Sequence, residues 1–203
     1  MGVPVLIIGE TGSGKSRSIK GFKPEEVGIF SVEKGRLPFK GDYKVKKRAT
    51  YKDINAIFKD PKLKRYVVDD SQFLMVNDLF DRAKETGYQK YTDLAVAFRD
   101  LVHNVNHLLP DDVIVYFLHH TETNPETGKV KAKTVGKMID QYLTLEGCFD
   151  IVLLASVDSE GYHFVTQSDG YTTAKSPEGM FPDLKIPNDL GLVDAAIREY
   201  WGL

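Results

Sequence analysis

Five short apolar runs punctuate the chain: Val3–Ile8, Val27–Val32, Tyr66–Asp69, Val113–Leu118 and Ile151–Ser156. Each is nearly continuous in Val, Ile, Leu, Tyr or Phe, the pattern of strands covered on both faces. A sixth stretch, Tyr43–Arg48, alternates apolar with basic residues and reads as an edge strand guarded by charge. Between the runs the apolar period lengthens to that of a helix: after Gly14, and over Tyr51–Phe58, Gln72–Glu85, Asp93–Leu109, Val135–Leu145 and Asp189–Tyr200. Pro110 closes the fourth of these helices. Tyr162–Pro187 reads as a hairpin followed by a proline-punctuated connector. Strands alternating with helices predict an α/β fold, a three-layer sandwich around a mostly parallel sheet, as one domain over residues 1–203.

Composition narrows the class. Apolar residues make up 42% and charged residues 28%, which is globular usage and not that of a disordered or membrane chain. Val5–Ile8 is too short for a signal peptide or a spanning helix, and Leu6 stands where an N-myristoylation signal needs Ser or Thr. Cys148 is the only cysteine, which excludes a disulfide framework and a cysteine-based zinc site. A reducing, cytoplasmic setting with no membrane is expected. The net charge of −2 means that any nucleic-acid contact must come from a local basic patch.

The chemistry concentrates at strand ends. Residues 9–16 read GETGSGKS, a full G-x-x-x-x-G-K-[ST] match, with an apolar strand before it and a polar helix start after it. In such a loop, backbone N–H groups from Gly9, Glu10, Thr11, Gly12, Ser13, Gly14 and on to Arg17 close around phosphates. Lys15 reaches the β- and γ-phosphates, and Ser16 ligates Mg²⁺. YVVDDS at 66–71 supplies the acidic partner: Asp69 is the Mg²⁺-side carboxylate. Asp70 is either a second catalytic carboxylate or the cap of the following helix. The strand between the loop and Asp69 in sequence ends in Glu33, and a carboxylate there is expected to share the triphosphate pocket and deprotonate an attacking water. That acid favours hydrolysis over phosphoryl transfer to a metabolite. The strand at 113–120 ends in His119-His120, one of which is expected to face the nucleotide and register the γ-phosphate, since neighbours on a strand point oppositely.

Two segments are basic. Residues 121–137 hold Lys129, Lys131, Lys133 and Lys137 with Pro125, Gly128 and Gly136, and are expected to be a polar loop that orders along a phosphate backbone. Residues 34–48 carry seven Lys or Arg against one acid, with Phe39 and Tyr43 interleaved, which suits either base stacking or a protected edge strand.

The order GETGSGKS, a strand ending in Glu33, VVDDS, a strand ending in His119-His120 and then a polar loop resembles the RecA-like branch of the P-loop ATPases. Within that branch the chain is similar to the minimal phage Sak-type single-strand annealing proteins, RecA-like cores often described as phage nucleotide-binding or AAA-family ATPases. The similarity runs from Val3 to about Trp201 and includes HHTETNPETGKVKAKTVGK at 119–137 and TTAKSPEGMFPDLKIPNDLG at 172–191. It implies a P-loop fold of the additional-strand type and Mg²⁺-dependent ATP hydrolysis. It also implies single-stranded DNA binding, with annealing or strand pairing in phage-type recombination inside a bacterial host. The segment 119–137 would line the DNA channel. Lys175, in TTAKS, would complete a neighbour's ATP site in a homo-oligomer, and a single-strand-binding protein would be a further partner. The competing readings are a small-molecule or nucleotide kinase and a nucleotide-binding accessory protein without DNA contact. Kinase lids bring arginines to the transferred phosphate, and residues 119–137 contain none.

Overall fold

β1 (Val3–Gly9) is the spine of the sheet. Its side chains alternate between two apolar layers, Val5 and Ile7 on one face and Leu6 and Ile8 on the other, all fully buried. The computed structural model describes residues 1–33, 35–135 and 144–203.

β1 pairs in parallel with two strands that come much later in the chain, β5 (Ile114–Thr123) on one side and β7 (Ile151–Asp158) on the other. Beyond β5 lie β4 (Arg65–Asp69), then β2 (Gly28–Ser31), then β3 (Val45–Lys47) at the edge, all parallel. Beyond β7 the pairing turns antiparallel through β8 (Gly161–Val165) and β9 (Lys185–Pro187). β6 (Val130–Ala132) folds back on the far half of β5. Among the described residues the result is a nine-stranded mixed sheet with a parallel centre.

Helices cover both faces. α1 (Tyr51–Phe58), α2 (Phe73–Asp81) and α3 (Gln89–Leu108) bury Ile54, Phe58, Leu74, Met75, Phe98 and Leu101 in the layer that takes Leu6 and Ile8. A 3-10 turn over Ser16–Gly21 and α4 (Leu190–Trp201) bury Ile19, Val193 and Ile197 in the opposite layer. Each such side chain, fully buried, contributes roughly 1.5–3 kcal/mol. Caps fix the helix starts: Thr50 and Asp53 form a reciprocal capping box on α1, and the Asp189 carboxylate accepts from the N–H groups of Gly191 and Leu192 on α4. Asp194, also on α4, accepts from Arg65 Nε and Arg198 Nε at 2.8 Å and from the Tyr116 hydroxyl at 3.0 Å. That buried network locks α4 to the amino-terminal ends of β4 and β5, away from the strand ends where the motifs lie. Burial, and then Asp194 beside it, push the Tyr116 phenol well above its ordinary pKa.

Several expectations change. The helix after Gly14 is only a 3-10 turn, because Gly21 abuts the start of α4, where any Cβ would run into the Asp189 carboxylate. The helix expected over Gln72–Glu85 stops at Asp81, and that expected from Asp93 starts at Gln89. The helix expected over Val135–Leu145 lies mostly outside the described residues, as does Lys137. β5 runs five residues past Leu118, and the polar segment beyond it returns as an antiparallel hairpin, with Thr121 opposite Ala132 and Thr123 opposite Val130. Its turn is held by Asn124 Oδ1, which accepts from the N–H groups of Glu126 and Thr127. The strand standing between β1 and β4 is therefore β5, which carries the histidines, and not β2, which ends near Glu33.

Candidate functional site

The glycine-rich loop leaves β1 at Gly9 and turns back at Gly14, whose φ of +94° places it in the left-handed region that glycine occupies without strain. Lys15 is folded across the loop, its Nζ donating to the carbonyls of Gly9 at 2.7 Å and Glu10 at 2.8 Å. Charged phosphate oxygens would be stronger acceptors for such an ammonium than these neutral carbonyls. Beside it the Ser16 hydroxyl donates to Asp69 Oδ1 at 2.8 Å, joining the loop to the end of β4. Serine and aspartate oxygens are hard ligands that fit Mg²⁺, an ion that keeps several waters and takes substrate phosphates. Among the described residues no cluster of three or more His, Cys, Asp or Glu could hold a metal alone, so such an ion would draw its other ligands from phosphate and water.

In front of the loop lies a cavity of about 440 Å³. Thr11, Gly12, Gly14, Lys15, Ser16 and Arg17 form one wall, Asp70 and His120 another, and Lys20, Pro38, Phe39 and Tyr162 the remainder. Asp70 is the first residue after β4 and has a φ of +58°. A non-glycine residue in that region is held there by its surroundings, at about 1 kcal/mol or more. The turn lets Ser71 N–H reach the Leu118 carbonyl at 2.8 Å and sets Asp70 Oδ1 3.3 Å from His120 Nε2. Asp70 does not cap α2 with its side chain; Gln72 is the capping residue and makes no side-chain cap bond.

Glu33 is placed elsewhere. β2 ends at Ser31, which sits opposite Asp69 in register, and the chain then bends as Ser31 Oγ accepts from Gly35 N–H at 2.7 Å. Glu33 is exposed within that bend and lines a separate cleft with Arg48, Tyr51 and Asp78. The expectation that its carboxylate shares the cavity of the glycine-rich loop is corrected: Asp70 is the acid on that wall.

The two histidines divide as strand alternation requires. His120 faces the cavity, whereas His119 is fully buried, with Nδ1 2.9 Å from Ser71 Oγ and Nε2 2.8 Å from the Lys133 carbonyl. Burial lowers the His119 pKa from 6.5 to about 4, so the ring is neutral. A carbonyl only accepts, so Nε2 carries the proton and donates to Lys133, which leaves Nδ1 as an acceptor; the single Ser71 hydroxyl proton is shared between Nδ1 and the Leu118 carbonyl, 3.1 Å from Ser71 Oγ. His119 thus joins the segment after β4 to the root of the β5–β6 hairpin. The same root is held by Lys133 N–H on the His120 carbonyl at 2.8 Å and by Ala132 N–H on Glu146 Oε1 at 2.8 Å.

A pH dependence follows. A histidine whose pKa falls on folding leaves the unfolded chain binding more protons between pH 6.5 and about 4, so stability drops as pH falls through that window and is flat above it. The gap corresponds to about 3 kcal/mol. His119→Gln keeps an N–H donor for Lys133 and cannot titrate. Urea unfolding at pH 7 and pH 4.5 should show a larger loss for the native chain than for this variant; equal losses would contradict the assignment.

The other basic positions are scattered. Lys129 and Lys133 are exposed on the hairpin, and Lys131 pairs with Glu122 at 3.1 Å. Lys175 is bridged by its backbone to Val152 of β7, with both bonds at 2.8 Å, and does not line the cavity of its own chain. In the basic run, Val45–Lys47 forms the edge strand, while Phe39 packs edge-on to Tyr43 at 5.3 Å and turns toward the cavity. Tyr162 escaped the sequence reading, because only the β7–β8 return, with Val157 opposite Tyr162, carries it to the glycine-rich loop.

No family model matches the chain, and no curated protein matches it either. Among the described residues no helix is long and apolar enough to cross a membrane.

Proposed function

We propose that the protein is a Mg²⁺-dependent ATPase that binds single-stranded DNA and promotes its annealing or pairing, a RecA-like P-loop protein of the additional-strand type. The observation that carries the reading is the meeting, around one cavity, of the glycine-rich loop with Lys15, the Ser16–Asp69 pair and the Asp70–His120 wall. The strand order supports it, with β5 between the loop strand and the Asp69 strand. In this reading Asp70 takes a proton from a water in the cavity; the water oxygen bonds to the γ-phosphorus as the bond to the bridging β–γ oxygen breaks, and ADP and phosphate leave. Lys15 stabilises the charge on the transferred group. Ser16 and Asp69 would hold Mg²⁺, which neutralises phosphate charge when bound.

The DNA assignment rests on the hairpin. Lys131 lies on β6 and Lys129 and Lys133 flank it, and His119 and Lys133 connect this hairpin to the residues beside Asp70. Homo-oligomerisation with Lys175 serving a neighbour's site, and a single-strand-binding protein as partner, belong to the same proposal. Replacing Lys129, Lys131 and Lys133 together by glutamine should weaken oligonucleotide binding and reduce the log–log salt slope by about two. Fluorescence anisotropy across a salt series checks this, and an unchanged slope would remove the hairpin from the DNA site. ATP turnover with and without single-stranded DNA tests the whole reading: stimulation by DNA supports it, and no turnover under either condition overturns it.

A further inference from the structure

Asn188, between β9 and α4, has no part in the chemistry above. It is 4% exposed, and neither its Oδ1 nor its Nδ2 has a hydrogen-bond partner among the described residues. A buried carboxamide left unsatisfied at both ends is costly, and such groups in native proteins answer to something. Its position says what. A Cβ built on Gly14 would fall 3.2 Å from both Asn188 polar atoms and 2.6 Å from Tyr162 Cδ1, so both residues pack on the same glycine of the loop. Tyr162 lines the cavity, is 41% exposed, and lies 4.8 Å under the Arg17 guanidinium.

We infer that Tyr162 and Asn188 form a nucleobase subsite that takes adenine, the aromatic ring stacking on the base and the carboxamide reading its amino edge. The inference rests on the reading of this cavity as a triphosphate site. With phosphates on the loop, the end of the cavity walled by Asp70 and His120 belongs to the γ-phosphate. The base must therefore leave toward Arg17, Lys20 and Tyr162. A carboxamide presents an acceptor beside a donor, which complements the N6 amino donor of adenine beside its N7 or N1 acceptor. The N7 edge separates the bases: guanine presents two acceptors there, N7 and O6, and would leave the carboxamide oxygen unpaired, while its N1–H and N2–H pair calls for a carboxylate. Asp70, the acid lining the cavity, stands at the other end, and the Asp189 carboxylate is engaged by the start of α4. Tyr162 and Asn188 both lie against Gly14, with Tyr162 on the cavity side and Asn188 behind it. Tyr162 follows Gly161 at the β7–β8 return, where a half-exposed ring can rotate aside and then lie on the base.

The test compares binding of ATP, GTP and inorganic tripolyphosphate, each with Mg²⁺, by calorimetry. The native chain should prefer ATP to GTP by at least about tenfold, and Asn188→Ala should bring the two within about threefold. Tyr162→Ala should weaken both nucleotides by about tenfold or more through lost stacking. Tripolyphosphate affinity should stay unchanged in both variants. A native chain without preference for ATP, or a preference that survives Asn188→Ala, overturns the inference. Loss of tripolyphosphate binding in Asn188→Ala also overturns it, since Asn188 would then only brace Gly14. Asn188→Ser provides a smaller change should the alanine variant fold poorly, and Tyr162 is exposed enough for its replacement to leave folding intact. Failure of the native chain to bind any of the three ligands would instead bring down the triphosphate site itself, and the subsite with it.

Discussion

Lys15→Ala is expected to reduce ATP turnover by on the order of 10³-fold and to bring binding of the triphosphate close to undetectable. Two losses combine. The ammonium that would neutralise the transferred phosphate disappears, and so does the donor that spans the Gly9 and Glu10 carbonyls. Lys15 is buried in the loop, so no neighbouring surface cation can move into its place. The fold should survive, because the apolar layers on either side of β1 do not depend on the side chain. Phosphate release at saturating ATP, calorimetric titration and a thermal melt together check the claim. A variant that melts normally and turns over ATP at the native rate would mean that the chemistry lies elsewhere.

The sheet was legible in the sequence because its central strands are covered on both faces, and covered strands are written as continuous apolar runs. The order of those strands was not legible. Nothing local in IFSVEKG says that β2 lies outside β4, or that β5 inserts beside β1; long-range pairing decides both. The end of β2 is three strand spacings from β1, about 14 Å, against two, about 10 Å, for β4. Glu33 was therefore the natural acid to choose from sequence and Asp70 the one that the fold brings forward. The meeting of the glycine-rich loop with the end of β4, through Ser16 and Asp69, was readable because both motifs close apolar runs. The turn after the loop misled for a different reason. Helix-like spacing continues through Ile19 and Phe22, but Gly21 is pressed against the start of α4, a contact made with residues about 170 positions away. Asn188 carries no sequence signal at all, because being unpaired is a property only a folded environment can give a side chain.

The second large effect separates the two acids. Asp70→Asn should lower turnover by about 10²- to 10⁴-fold while ATP affinity changes by no more than about threefold. Asparagine matches aspartate in shape, can still meet His120 across the 3.3 Å contact, and tolerates the left-handed backbone at this position at least as well. It cannot take a proton from water. The loss should therefore appear in the rate and not in folding or binding, which is the signature of a group that acts only as the reaction proceeds. Glu33→Gln is the control with the opposite forecast: an exposed side chain in another cleft should leave turnover within about twofold of the native rate. Single-turnover measurement of both variants with and without single-stranded DNA distinguishes the cases. If Glu33→Gln is the slow enzyme and Asp70→Asn the normal one, then the segment after β2 must close over the cavity when nucleotide binds, and the proton would pass to the acid that stands outside it here.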